Sequence, residues 1–171
     1  MRPPLQPVAP TIDDPIELLL ACHEKIRRFA DLSMRLSNHV ALHGADKPAQ
    51  EAAQSILRYF DIAAPLHHDD EELDLFPALR TLGINSLNLA IDRLTVEHAQ
   101  LSDLWQGVQT WLQGIAQGEV QAAPSTVSAF AQAYKAHVQQ EDDEVYPAAS
   151  QLSAAQCQQI SAAMVGRRTA R

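Results

Sequence analysis

Apolar residues recur along this chain at steps of three and four, which is the period of an amphipathic α-helix. The most regular segment carries Leu87, Ile91 and Leu94 on one stripe. Comparable segments cover about residues 14–43, 48–79, 87–112 and 125–146, with a shorter one at 153–165. No segment alternates apolar and polar residues persuasively enough to predict a strand. The pattern therefore predicts an all-α protein.

Residues typical of helix ends support these boundaries. Asp13 or Asp14 can cap the first helix, and Pro15 suits its first turn. Gly44 is expected to end that helix, while Pro65 lies inside the second and can bend it. Four long helices joined by short turns predict an up-down-up-down four-helix bundle with a short additional C-terminal helix.

Length and charge narrow the class of protein. The 171 residues suit one domain, with a flexible proline-rich lead at residues 1–11 and the helical bundle at 12–171. A net charge of -8 argues against nucleic acid or an anionic membrane as a partner. We expect a cytoplasmic protein, because no apolar run resembles a signal peptide or a membrane span. Two cysteines are too few for a disulfide framework.

Each of the four predicted helices carries a histidine where its period requires a core residue. These residues are His23, His67, His98 and His137. A single histidine on an apolar stripe is more often structural than a ligand. Four of them on four helices can meet at one level of a bundle, and imidazole is the commonest protein ligand of transition metals. The pattern therefore predicts a metal site in the core.

Two of these histidines belong to a repeated motif. Glu71 follows His67 by four residues, and Glu141 follows His137 by four, which places each pair on one face of its helix. Both motifs end in a proline, as EELDLFP and EDDEVYP. Burying two carboxylates requires compensating positive charge, which two divalent cations would supply. Histidine and carboxylate ligands favour iron or manganese over a closed structural zinc site.

Other polar residues near these motifs are predicted to lie at the rim or in water. They are His39, His43, His68, Asp69, Asp70, Glu72, Asp74, Asp142 and Asp143. Cys22 is interpreted as a small core residue, since it is turned about 100° from His23 on a helix. Trp105 and Tyr134 are predicted to form core walls, although the Tyr134 hydroxyl could also point into the pocket.

The combined pattern resembles the hemerythrin-like (HHE cation-binding) family over roughly residues 15–150. The motifs that carry the resemblance are ACHEKIRRF, HHDDEELDLFP, LTVEHAQL and AHVQQEDDEVYP. The resemblance implies a non-heme centre of two iron ions joined by an oxo or hydroxo bridge, in preference to manganese or zinc. The implied metal ligands are His23, His67, Glu71, His98, His137 and Glu141, with the glutamates bridging.

The chain also departs from the classical oxygen-carrying hemerythrins. Those proteins have a His-x-x-x-His pair, whereas Leu94 and Ser102 flank His98 at that spacing here, so one iron is expected to have fewer ligands. Their second carboxylate is an aspartate at the place of Asp142. We favour Glu141 because it repeats the first motif, with Asp142 as the alternative. The ligand set is closer to bacterial iron–sulfur-repair and nitric-oxide-handling members, although we expect no counterpart of their additional N-terminal cysteine-bearing domain here.

The leading functional hypothesis is a di-iron protein that binds or reduces dioxygen, peroxide or nitric oxide. The alternatives are an iron-responsive sensor or interaction module, an iron donor for metal-centre repair, and a helical protein without metal. A ferritin-like store is disfavoured, because that fold uses Glu-x-x-His pairs. Expected partners are a small diatomic ligand or peroxide and an unidentified redox or protein partner, for a monomer or homodimer.

Overall fold

The computed structural model describes residues 14–170, and over this range it contains helices and no strand. In chain order the helices are α1 (Pro15–His43), α2 (47–80), α3 (Asn85–Ala116), α4 (126–151) and α5 (Ala154–Thr169). The predicted all-α bundle with an additional C-terminal helix is confirmed. The predicted lead at residues 1–11 and the candidate cap Asp13 lie outside the described residues.

Helices α1 to α4 form a four-helix bundle in which α1 packs on α2 and α4, and α3 packs on the same two helices. The Asp14 carboxylate accepts a hydrogen bond from the Ile16 amide and caps α1, as one of the two predicted alternatives. Gly44 ends α1 with φ 71°, a conformation that residues with a Cβ rarely adopt. In the described part of the chain, no helix is both long enough and apolar enough to cross a bilayer.

Helices α2 and α4 continue through prolines by means of wider π-helical turns. Two lie in α2, at Tyr59–Ala63 and Glu71–Leu75, and one lies in α4, at Glu141–Val145. The closing hydrogen bonds run from the amides of Ala64, Phe76 and Tyr146 to the carbonyls of Tyr59, Glu71 and Glu141. Each donor directly precedes a proline. Proline lacks an N–H group and crowds the preceding turn, so a wider turn lets the helix continue.

The interior contains two apolar clusters separated along the bundle. We call the first cluster the distal core; it includes Ile26, Ile56, Val108 and Phe130. We call the second cluster the proximal core; it includes Leu19, Leu79, Ile91 and Met164. The predicted histidines lie between residues of these two clusters on their helices. Apolar packing on both sides therefore encloses one polar layer.

Helix α5 packs on α1 and α2 and is fastened by a buried ion-pair cluster. Met164 is fully buried in the proximal core, while Arg167 and Arg168 both donate to the carboxylate of Asp70. Arg167 also donates to Asp74 at 2.6 Å. The prediction that Asp70 is solvated is wrong, because this carboxylate is 0% exposed and depends on partners from α5. Asp74 is likewise engaged by α5 rather than left in water.

Candidate metal centre

The six predicted ligand residues meet in one layer of the bundle. Each side chain is at most 5% exposed: His23, His67, Glu71, His98, His137 and Glu141. Helix α1 supplies one of them, α2 two, α3 one and α4 two. The glutamates each begin a π-helical turn, so both repeated motifs have the same local geometry. Such turns are frequent at functional sites.

The first half-site is formed by His23 and His67. Their Nε2 atoms lie 3.1 Å apart. The Nε2 atom of His23 lies 3.2 Å from Oε2 of Glu141, and that of His67 lies 3.6 Å from Oε1 of Glu71. These four residues each offer a donor atom, and all four atoms lie within 4.8 Å of one another.

The second half-site is formed by His98 and His137. The Nε2 atom of His98 lies 3.3 Å from Oε2 of Glu71, and that of His137 lies 3.0 Å from Oε1 of Glu141. Each glutamate therefore directs one oxygen toward each half-site. Both carboxylates therefore lie between the two pairs of histidines.

Carboxylates outside the layer hold three of the histidines. The Nδ1 atoms of His23, His98 and His137 lie 2.7, 2.5 and 2.9 Å from the carboxylates of Asp142, Glu72 and Glu97, respectively. An Nδ1–H group that donates outward leaves the lone pair on Nε2 directed inward, which is the usual arrangement behind a metal-binding imidazole.

This arrangement assigns Asp142 a place behind the layer. Its carboxylate accepts from His23 and, at 2.5 Å, from Arg27, while Glu141 points inward. The expectation that Asp142 is simply solvated is wrong, because its partly buried carboxylate bonds to His23. Glu72 is exposed, as expected, but its carboxylate also bonds to His98. The apolar period of a single helix cannot predict either contact, since the partner histidines lie on other helices.

His68 also turns toward the layer, contrary to the predicted place at the rim. Its ring stacks on that of His98 at 4.0 Å between centroids, and the ring of Tyr134 lies 6.1 Å away on a nearly parallel plane. Burial, followed by the proximity of His98 and His67, holds the pKa of His68 well below its ordinary value. His68 is therefore neutral and keeps a free lone pair. Sequence reasoning missed it because its neighbour His67 already occupied the stripe.

Tyr146 closes the first half-site. Its hydroxyl donates to Oε1 of Glu71 and lies 3.0 Å from Nε2 of His23. Its ring stacks on that of His23, with centroids 4.8 Å apart. The predicted core wall Tyr134 is buried nearby against Phe60. An aromatic residue directly before the proline of EDDEVYP thus contacts the polar layer itself.

Protons balance the buried carboxylates of this layer. Burial by itself would lower the pKa of His23, but the hydrogen bond to Asp142 and the nearby carboxylates of Glu141 and Glu71 raise it to about 11. Burial is likewise outweighed at His98, where the nearby carboxylates of Glu141 and Glu71 raise the pKa to about 10. A bound cation would take over this balancing charge and release the protons.

Several buried atoms of the layer have no hydrogen-bond partner among residues 14–170. They are Nε2 of His68, His98 and His137, Oε2 of Glu71, and both carboxylate oxygens of Glu141. Leaving one such atom unsatisfied costs about 1 to 3 kcal/mol. Two donors bound to one ion at about 2.1 Å lie about 3 Å apart, close to the shorter separations found here. The donor set therefore fits metal cations.

Comparison with known proteins agrees with this geometry. The sequence model for the hemerythrin HHE cation-binding domain matches residues 14–149. The chain belongs to this family. An uncharacterized protein from Haemophilus influenzae is 35% identical to it over 133 residues, which cover 77% of each chain. The hemerythrin HHE domain thus spans α1 to α4 almost completely.

The carboxylate of Glu97 provides a first test of this hemerythrin HHE site. We expect Glu97→Gln to weaken metal binding about 10- to 100-fold, because the amide no longer accepts a charge-assisted hydrogen bond from His137. Equilibrium dialysis with metal analysis would measure the affinity. Asp103→Asn changes an exposed carboxylate further along α3 and is the control. Equal affinities in the two variants would contradict the supporting role of Glu97.

Proposed function

We propose that this protein is a non-heme di-iron protein that binds or reduces a small oxidant, namely dioxygen, peroxide or nitric oxide. The main support for this proposal is the pair of buried glutamates, each of which directs one oxygen to the first half-site and the other oxygen to the second. His23 and His67 would bind one iron, and His98 and His137 the other. Glu71 and Glu141 would bridge them.

The donor chemistry supports iron in this proposal. Within residues 14–170, the grouped donors are imidazoles and carboxylates without a thiolate. They are also more numerous than one tetrahedral zinc ion needs. Two cations would also compensate two buried carboxylates. A ferrous pair, when bound, supplies an open coordination position and electrons for a small oxidant.

The surrounding residues would control this chemistry by position and exclusion. Asp142, Glu72 and Glu97 orient three imidazoles, and the two apolar cores limit the access of water. The Tyr146 hydroxyl holds Oε1 of Glu71 on the side of the first half-site. No separate general base is required, because the proposed role of the side chains is to bind the metal ions, orient the ligands and enclose the site.

Anaerobic loading with ferrous iron tests the proposal. We expect about two iron ions per chain and, after exposure to air, peroxide or nitric oxide in turn, the charge-transfer bands of an oxidised or nitrosylated iron pair. Uptake of zinc alone, without spectral change on exposure to any of the three oxidants, would contradict it. A large iron-dependent rise in melting temperature without oxidant chemistry would instead favour the sensor or interaction module.

A further inference from the structure

His68 is placed to serve the second half-site. Its ring is nearly parallel to that of His98, with an angle of 13° between the planes, and its Nε2 atom is buried without a hydrogen-bond partner in the described structure. Donor atoms of His68, His98 and His137 all lie within 4.8 Å of one another. One nitrogen from each of the three imidazoles is therefore close enough to the others for all three to bind one ion.

We propose that His68 is the third imidazole ligand of the metal ion held by His98 and His137. This inference rests on the proposed function for the presence of a metal pair, but not on the identity of the oxidant. Adjacent residues of a helix diverge by about 100°, so His67 can face one ion while His68 faces the other. Helix α2 thus contributes a histidine to each half-site from two consecutive positions.

The consequence is an unequal pair of metal sites. Without His68, each half-site has two imidazoles and the same two shared carboxylates. With it, the second half-site has three imidazoles, whereas the first has two and faces the Tyr146 hydroxyl. A merely structural histidine would leave a buried ring nitrogen unsatisfied beside a prospective ligand, at a cost that a metal bond removes.

Metal titration of full-length variants tests the ligand role. Metal-free wild type, His68→Ala and His68→Phe would be titrated anaerobically with Fe²⁺ and, separately, with Co²⁺, whose visible spectrum reports the ligand set. His43→Ala, at an exposed histidine near the end of α1, is the matched control. Circular dichroism would establish that each variant is folded.

We expect wild type and His43→Ala to bind two ions per chain. Both His68 variants should bind one ion normally and the second at least about 100-fold more weakly. Removing a ligand should lower the metal affinity more than removing a hydrogen bond behind a ligand does. Free imidazole should restore the second ion in His68→Ala. Wild-type binding of the second ion by His68→Phe, without added imidazole, would instead show that His68 only fills space and would overturn the proposal.

The two metals separate this inference from the proposed function. Uptake of two Co²⁺ ions but no Fe²⁺ by the wild type would contradict the di-iron function, while the Co²⁺ titration of the variants would still decide the role of His68. Unchanged stoichiometry, affinity and Co²⁺ spectrum in folded His68→Ala would refute the ligand assignment. Failure of the wild type to bind either metal would refute both.

Discussion

Glu71→Gln is expected to abolish tight binding at both metal sites while the helical bundle still folds. The carboxylate of Glu71 directs Oε1 toward His67 and Oε2 toward His98, so a neutral amide removes charge and a donor from both half-sites. We expect the affinity at each site to fall by at least about 100-fold, beyond the effect of an outer hydrogen bond. Iron content after anaerobic loading and helicity by circular dichroism would measure the result.

The control for this change is Glu51→Gln, which neutralises an exposed glutamate on the same helix. It should bind iron like the wild type. Loss of only one ion in Glu71→Gln would show that Glu71 is a terminal ligand of a single site. Retention of both ions at wild-type affinity would remove Glu71 from the ligand set altogether.

Asp70→Asn is expected to destabilise the protein by about 3 kcal/mol and to loosen α5. The variant keeps Arg167 and Arg168 in place but removes the fully buried charge that both arginines bind, and breaking such a pair costs about 3 to 5 kcal/mol. The lower value applies because both arginines retain some access to water. For a chain of this length, about 3 kcal/mol corresponds to a fall in melting temperature of about 6 to 12 °C.

Denaturant titration of the metal-free variants would measure this free energy of unfolding. Asp69→Asn makes the same change at the neighbouring, half-buried position and should have a much smaller effect. Hydrogen exchange should show faster exchange of the α5 amides in Asp70→Asn. Equal unfolding midpoints in the two variants would contradict a stabilising role for the cluster.

The helices could be predicted from the sequence because the features that mark them are local. The three- and four-residue period located all five helices in the described range, and Asp14 and Gly44 marked the two ends of α1. The effect of Pro65 was less accessible. The proline follows a π-helical turn within a helix that continues, and nothing in the apolar period distinguishes such a turn from a bend.

The sequence by itself determined which six histidine and glutamate residues face the core, because each lies on an apolar stripe of its own helix. Only the tertiary structure decided what surrounds them. His68, Asp70 and Asp142 looked like parts of acidic helix ends, yet each is engaged by residues from another helix. The rotation of α2 and α4 at their π-helical turns, and the approach of partners distant in sequence, fix these contacts. The period of a single helix contains no information about either.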